Sequence, residues 1–345
     1  MISEIKLVHF RNFPYKKIDS LEEKNFIIGQ NGKGKTNILE ALSLLGNNSI
    51  NGIAIENLVE KNENNFFIEY LDDQIWSVGI SFDKEKKKKN YMVNGKNIPK
   101  KKFLELTYKC VVFSPQVMNL FYLSPSLRRD FLDTILINSY PEYTELMKHY
   151  KKIVTSRNKL LKSIAEWKSQ KTDINFWDTQ FVDIASKIYS YRFPLIQYFQ
   201  SHIETSKEYF NGKIENISLI YNTKVQKETI KTDIEEYLEK NLDRDIILWK
   251  TAIWPHVDDF HIVIDEMNLV DFASRGETKS VIIWLKMLET VYIEKKTDKK
   301  PILLIDDLMS ELDEIHKEML TKKIKYYQTF ISSISQLEER NNIML

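Results

Sequence analysis

Residues 26–42 read FIIGQNGKGKTNILEAL and hold three of the chain's nine glycines, Gly29, Gly32 and Gly34. An apolar run enters the stretch and a helical pattern leaves it. Between them, Gly29, Gln30, Asn31, Gly32, Lys33, Gly34, Lys35 and Thr36 fit the spacing G-x-x-x-x-G-K-[ST] of a phosphate-cradling loop. Glycines let the backbone curl so that successive N–H groups face inward onto anionic oxygens. Lys35 is expected to reach the β- and γ-phosphates of a bound nucleotide, and Thr36 to ligate Mg²⁺ through its hydroxyl. The following helix aims the positive end of its dipole at the same oxygens.

Working outward, the 345 residues suffice for one large or two ordinary domains. The composition, 43% hydrophobic and 29% charged, is that of a globular protein. The single cysteine, Cys110, excludes an intramolecular disulfide and a cysteine-based zinc site, which points to a reducing cytoplasm. No apolar run approaches the roughly 20 residues of a membrane span. MISEIKLVHF has no signal-peptide pattern, so the mature chain is expected to begin there and to stay inside the cell, with no membrane partner. A net charge of +1 gives no global sign of nucleic acid, so any basic surface must be local.

Up to about Pro115, short apolar runs alternate with turns in the manner of strands, and YMVNGKNI carries the hairpin dipeptide Asn94-Gly95. From about Pro125 to Leu242, apolar residues recur at helical spacing without internal glycine in the long segments. Strands then return, followed by a helix over 276–295, PILLIDD as a buried strand, and a helix from about Leu312. The pattern predicts an α/β domain built from residues 1–124 and 243–345, with a helical arm at 125–242 inserted between them.

In PILLIDDLMSELD, residues 301–313, a buried strand delivers two carboxylates at its C-terminal end, where α/β sites lie. Asp306 is expected in the Mg²⁺ shell, and Asp307 to position or deprotonate an attacking water. The alternative is an acidic N-cap after an ordinary strand. In FASRGETKSVIIWLKMLE, Ser274 and Gly276 open an amphipathic helix. They can form either an anion-binding terminus or a plain cap.

Loop, SRGE, LLIDD and SELD, in this order, resemble an ABC-type ATPase of the SMC class. LVHFRNF, VVFSPQVMNLFYLSPSLRRDFLD, HYKKIVTSRNKLLKS, FWDTQF, PHVDD and FASRGE extend the resemblance along nearly the whole chain to the RecF family of bacterial recombination mediators. The class implies two ATP molecules sandwiched in a head-to-tail pair of heads. The family implies binding of single- and double-stranded DNA at gap junctions without base specificity, ATP-dependent homodimerisation, weak DNA-stimulated ATPase activity, recombinase loading, SOS induction and a RecR-like partner. By matched motif, Arg11 falls near the phosphates, Asn31 shapes the loop, and Gln116 senses metal and γ-phosphate. Ser274, Arg275 and Gly276 act in trans on the partner's nucleotide, and Ser310 and Asp313 communicate across the dimer.

Three departures weigh on turnover more than on binding. Glu277 replaces the family's usual Gln and adds negative charge beside a γ-phosphate. Trp254 and Val257 stand where the family prefers Gly and Arg. No histidine occupies the switch position after the last strand, where Ser332 or Ser333 is the best substitute. For DNA, residues 84–102 carry nine lysines against one acid, Glu85. They suit phosphate tracking or a lysine-blunted hairpin edge equally. Lys148, Lys151, Lys152, Arg157, Lys159 and Lys162 suit DNA or an exposed helical face, and Arg128 and Arg129 suit DNA or arm packing. A transporter nucleotide-binding subunit would lack the arm, and an SMC-like nuclease would need a further carboxylate cluster.

Overall fold

The computed structural model describes residues 1–46, 53–73, 77–209, 216–252, 255–334 and 341–345. The chain divides into two compact units, Met1–Asn119 with Ile282–Leu345, and Leu120–Val281.

The first unit opens with β1 (Ile2–Phe10), β2 (Phe13–Ile18), β3 (Lys24–Ile28) and α1 (Lys35–Ser43). It continues with β4 (Asn65–Asp72), β5 (Ser77–Asp83), β6 (Lys88–Val93), β7 (Lys96–Ile98), α2 (Lys100–Leu106) and β8 (Cys110–Phe113). The Asn94-Gly95 hairpin forms as the dipeptide predicts: both residues have positive φ, 49° and 72°, and Val93 pairs with Lys96.

The second unit contains α3 (Pro125–Ser139), α4 (Tyr143–Ala165), α5 (Ile174–Ser201), β9 (Ile217–Asn222) and α6 (Ile230–Leu248). It also contains β10 (Asp259–Ile264), β11 (Met267–Asn268), α7 (Leu269–Phe272) and the start of α8 (Arg275–Thr297). The unit thus runs past the boundary expected at 242, for a physical reason. β9 pairs antiparallel with β10 over its whole length, from Asp259–Asn222 to Ile264–Ile217, which ties the chain after 242 to the unit that holds β9. The segment ISLIYN reads weakly because its alternation is short and sits among helical stretches.

Four arginines of the arm, Arg128, Arg129, Arg157 and Arg192, hold it together. Arg157, expected on an exposed helical face, is fully buried. It donates to Asp178 Oδ1 at 2.6 Å and to Asp245 Oδ2 at 2.9 Å. Arg128 grips Asp259 with two parallel hydrogen bonds of 2.7 and 2.8 Å, and Arg129 donates to the Asp258 carbonyl at 3.2 Å. Arg192 holds Asp133 at 2.8 Å and donates to the Pro255 carbonyl. LRRD thus meets PHVDD through the Arg128–Asp259 pair, whereas Arg157 of TSRNK pairs with Asp178 of FWDTQF and with Asp245 of α6. Trp254 lies outside the described residues, and Val257 is exposed.

The chain then completes the first unit with the rest of α8, β12 (Ile302–Ile305), α9 (Glu314–Ile324), β13 (Thr329–Ser333) and β14 (Asn342–Met344). Two sheets result. One is antiparallel, in the order β2-β1-β4-β5-β6-β7; the other is parallel, in the order β14-β3-β13-β12-β8. The strands FII and ILLI are buried almost throughout, as parallel strands covered on both faces must be. Ile38, Leu39, Ala41 and Leu42 of α1 are fully buried in a core shared by both sheets. That core fixes where α1 begins, and hence where the glycine loop sits.

Candidate nucleotide site

The loop leaves the C-terminal end of β3 and enters α1 at Lys35. Gly32 and Gly34 have φ of 81° and 101°, values that favour glycine. At Gly34 a Cβ would lie 2.7 Å from Asn12 Oδ1 and from Phe13 Cζ. Asn12 also donates to the Lys33 carbonyl at 3.2 Å and accepts from Asn37 Nδ2 at 2.7 Å, so the β1–β2 turn braces the loop. Lys35 is buried, and its ammonium is held by the loop itself, at 2.8 Å from the Gly29 carbonyl and 3.4 Å from Gln30 O and Asn31 Oδ1. These partners are local and exchangeable for phosphate oxygens.

Parallel pairing carries Asp306 to the same place from far along the chain. Ile305 pairs with Phe113 and Ile331, and the Asp306 N–H donates to the Phe113 carbonyl at 2.8 Å. Thr36 Oγ1 then donates to the Asp306 carboxylate, 3.0 Å from one oxygen and 3.2 Å from the other. Burial pushes the Asp306 carboxyl above the usual carboxylate range, bonds from Ser332 and Thr36 oppose this, and neighbouring Asp307 and Glu40 add to the rise. A hydroxyl beside a buried carboxylate offers the oxygen donors that fit a hard divalent cation.

Asp307 adopts φ 48°, and its N–H donates to Ser332 Oγ at 2.8 Å. The Ser332 hydroxyl lies 2.9 Å from Asp306 Oδ1 and 3.2 Å from Asp307 Oδ1. Of the two serines expected as switch substitutes, Ser332 is the one that touches both acids. Gln116 lies exposed three residues beyond the Phe113 carbonyl that holds Asp306, with no side-chain bond to the loop among the described residues. Arg11, expected near the phosphates, directs its guanidinium elsewhere. It forms a two-bond pair with Glu40 of α1, at 2.8 and 3.0 Å, and reaches the Asn57 carbonyl at 3.1 Å. Asn12 and Glu40 are the positioning residues that sequence reading missed; Glu40 is a buried acid on the apolar face of α1, and that is its only signal.

Ser274, Arg275 and Gly276 belong to the second unit. Ser274 opens α8 with a reciprocal pair: its Oγ accepts from the Glu277 N–H at 3.2 Å, and its own N–H donates to Glu277 Oε2 at 2.7 Å. This is a capping box, which Gln would close equally well. The Glu277 carboxylate is therefore engaged at the helix terminus. Ser274 and Arg275 remain exposed. Ser310 donates to the Asp307 carbonyl at 2.7 Å, and Asp313 caps α9 by accepting from the His316 N–H at 3.0 Å.

The lysine-rich segment falls on β6, the edge strand β7, the start of α2 and the turns that join them. Lys84, Lys86, Lys87, Lys88, Lys96, Lys101 and Lys102 are exposed. Lys89 instead lies 5.1 Å from the Tyr91 ring centroid, and burial, helped by nearby Lys100, lowers its pKa to about 8. Among the described residues, no helix is long and apolar enough to cross a membrane.

The glycine cradle can be tested at one atom. Gly34→Ala should lower stability by about 1–3 kcal/mol, because it adds left-handed strain to a collision with Asn12 and Phe13. It should also remove the rise in melting temperature on adding ATP and Mg²⁺, read by differential scanning fluorimetry. An alanine variant with the wild-type ATP shift would show that the loop tolerates a Cβ there.

Residues 1–338 match the RecF/RecN/SMC N-terminal domain family. A DNA replication and repair protein RecF from a Thermoanaerobacter species is 32% identical, covering 96% of this chain and 93% of its own. The RecF of Streptococcus thermophilus is 30% identical, covering 99% of this chain and 94% of its own. Among solved structures, a recombination mediator protein RecF with ATP, of the RecFOR pathway, superposes with a TM-score of 0.87 at 27% identity, over 98% of this chain and 92% of its own. The SMC head of Pyrococcus furiosus, at 15% identity and a TM-score of 0.50 over 97% of this chain and 89% of its own, shares the fold.

Proposed function

The chain belongs to the RecF/RecN/SMC N-terminal domain family, and from that membership we propose an ATP-gated DNA-binding protein of replication and recombinational repair. The first unit is the ATPase head, and the second is the arm. Gly29–Thr36 wrap the phosphates through backbone N–H groups, while Lys35 exchanges its loop carbonyls for β- and γ-phosphate oxygens. Thr36 and Asp306 supply two oxygens to Mg²⁺, with Gln116 close enough in sequence to the Asp306 anchor to complete the shell. Mg²⁺, when bound, neutralises charge developing on the phosphates. Asp307, fixed by Ser332, orients the attacking water and takes its proton. Arg11 acts by holding α1 through Glu40.

ATP brings two heads together head-to-tail, with Ser274, Arg275 and Gly276 of one copy capping the nucleotide of the other. Hydrolysis is slow, stimulated by DNA, and times release. The exposed lysines of residues 84–102 follow DNA backbones without reading bases, at gap junctions of single- and double-stranded DNA. There the protein works in the cytoplasm with a RecR-like partner in recombinase loading and SOS induction. The observation that carries this reading is the Thr36–Asp306 hydrogen bond, which joins the phosphate loop to the distant acid pair.

Ser274→Arg tests action in trans. It should leave monomer ATP affinity nearly unchanged and block ATP-dependent dimerisation, because a bulky cation there collides with the partner's loop. A residue that only caps α8 would cost about 1 kcal/mol of stability with dimerisation intact. Mixing Ser274→Arg with Lys35→Ala protein restores one composite site, so partial association absent from either alone is expected in sedimentation. Wild-type dimerisation of Ser274→Arg at saturating ATP would overturn the assignment.

A further inference from the structure

Helices α4 and α6 both end on a tryptophan in the left-handed region, Trp167 at φ 59° and Trp249 at φ 53°. The two ends are closed alike. Trp167 N–H donates to the Ile164 carbonyl at 3.0 Å and Lys168 N–H to Ser163 at 2.9 Å. Trp249 N–H donates to the Ile246 carbonyl at 3.3 Å and Lys250 N–H to Asp245 at 3.1 Å. In this helix-ending motif the left-handed position is ordinarily glycine, because a Cβ crowds the following carbonyl. Burial does not repay the strain, since Trp167 is 95% exposed and Trp249 50%.

Both rings emerge at one end of the bundle. Ile164 and Ile246, three residues before each ring, share a single core cluster with Leu161 and Ile174. Phe176, in the first turn of α5, is exposed there as well. Cations are interleaved with the rings. The Lys162 ammonium lies 5.1 Å from the Trp249 centroid, and each tryptophan is followed by an exposed lysine, Lys168 or Lys250. Lys162 and Lys168 share Glu166 at 3.8 and 2.6 Å, so the end is not uniformly basic.

We propose that this end of the bundle binds single-stranded nucleic acid by stacking unpaired bases on Trp167 and Trp249, with Lys162 and Lys250 on the backbone phosphates. The proposal rests on the reading of the chain as a DNA-binding protein and specifies which part of the DNA this end takes. Strained, exposed rings offer flat faces to other flat faces, and alternating cations suit a phosphate every few ångströms. A duplex offers no free base face along its length.

The test uses the full chain with saturating ATP and Mg²⁺, a labelled oligothymidylate and a blunt duplex of equal length, read by fluorescence anisotropy. Trp167→Gly and Trp249→Gly relieve the backbone strain, so neither should lower the melting temperature. Each should weaken single-strand binding about tenfold. Duplex affinity should hold within about twofold, and the salt dependence of single-strand binding should be unchanged, since stacking neutralises no phosphate. Trp→Phe at both sites should retain most of the affinity. Wild-type protein that binds neither probe would overturn the DNA-binding reading, and this proposal with it. Wild-type protein that binds duplex, with glycine variants that hold the single strand as tightly as wild type, would overturn only the stacking end. So would equal loss on both probes, or weaker self-association with DNA binding intact, which would mark a protein-docking surface.

Discussion

Lys35→Ala should abolish ATP-dependent dimerisation and lower ATP affinity by at least about tenfold to a hundredfold, the worth of one or two charge-assisted hydrogen bonds. The ammonium is buried, and its partners without nucleotide are the Gly29 and Gln30 carbonyls and Asn31 Oδ1. Those bonds hold the side chain in position without consuming it, because phosphate oxygens compete better for a cation than neutral carbonyls do. The variant should therefore melt close to wild type without ligand. It should lose most of the ATP·Mg²⁺ shift, which for an intact site at a hundredfold excess over Kd is about 2.7 kcal/mol of stabilisation. Scanning fluorimetry and sedimentation velocity at matched ATP read both effects. A variant that dimerises with ATP would remove Lys35 from the phosphate-binding role.

The second large effect is on stability. Arg157→Ala should destabilise the arm by about 3–5 kcal/mol, because it leaves Asp245, fully buried, without its cation. Removing the acid as well, in Arg157→Ala with Asp245→Asn, should recover part of the loss, since what costs most is the uncompensated charge. Urea titrations followed by circular dichroism, with proteolysis to locate the opened segment, measure it. Near-wild-type stability of the single variant would mean that the pair is dispensable. DNA affinity corrected for folded fraction should not change, which separates this arginine from the surface lysines.

The phosphate loop and the acid pair were legible because their chemistry requires contiguous spacing. Eight residues set the cradle, and four apolar residues followed by two acids can do little else at the end of a buried parallel strand. That Thr36 meets Asp306 across the chain was an inference from class, since no local pattern encodes the strand order that joins them. Arg157 was misread for a related reason. Its partners lie 21 and 88 residues away, so nothing adjacent announces burial. One sign was available: Arg157 precedes Leu161 and Ile164 by four and seven positions, which puts it on the apolar stripe of α4. β9 was lost among helices for lack of length. The tryptophans at 167 and 249 gave no warning, because composition cannot reveal a left-handed φ.

Strand β3 pairs on one side with β13 and on the other with β14, both parallel. Its neighbours thus leave the ribosome about 300 residues after it does, which at ordinary elongation rates is a wait of roughly 15–60 s. During that interval FII has no ladder to join, whereas the second unit, Leu120–Val281, is continuous and can fold as it emerges. A nascent chain halted before Thr329 would carry a finished arm and an open nucleotide sheet. Newly made protein therefore gains its response to ATP only after the arm has been synthesised and β13 and β14 have emerged.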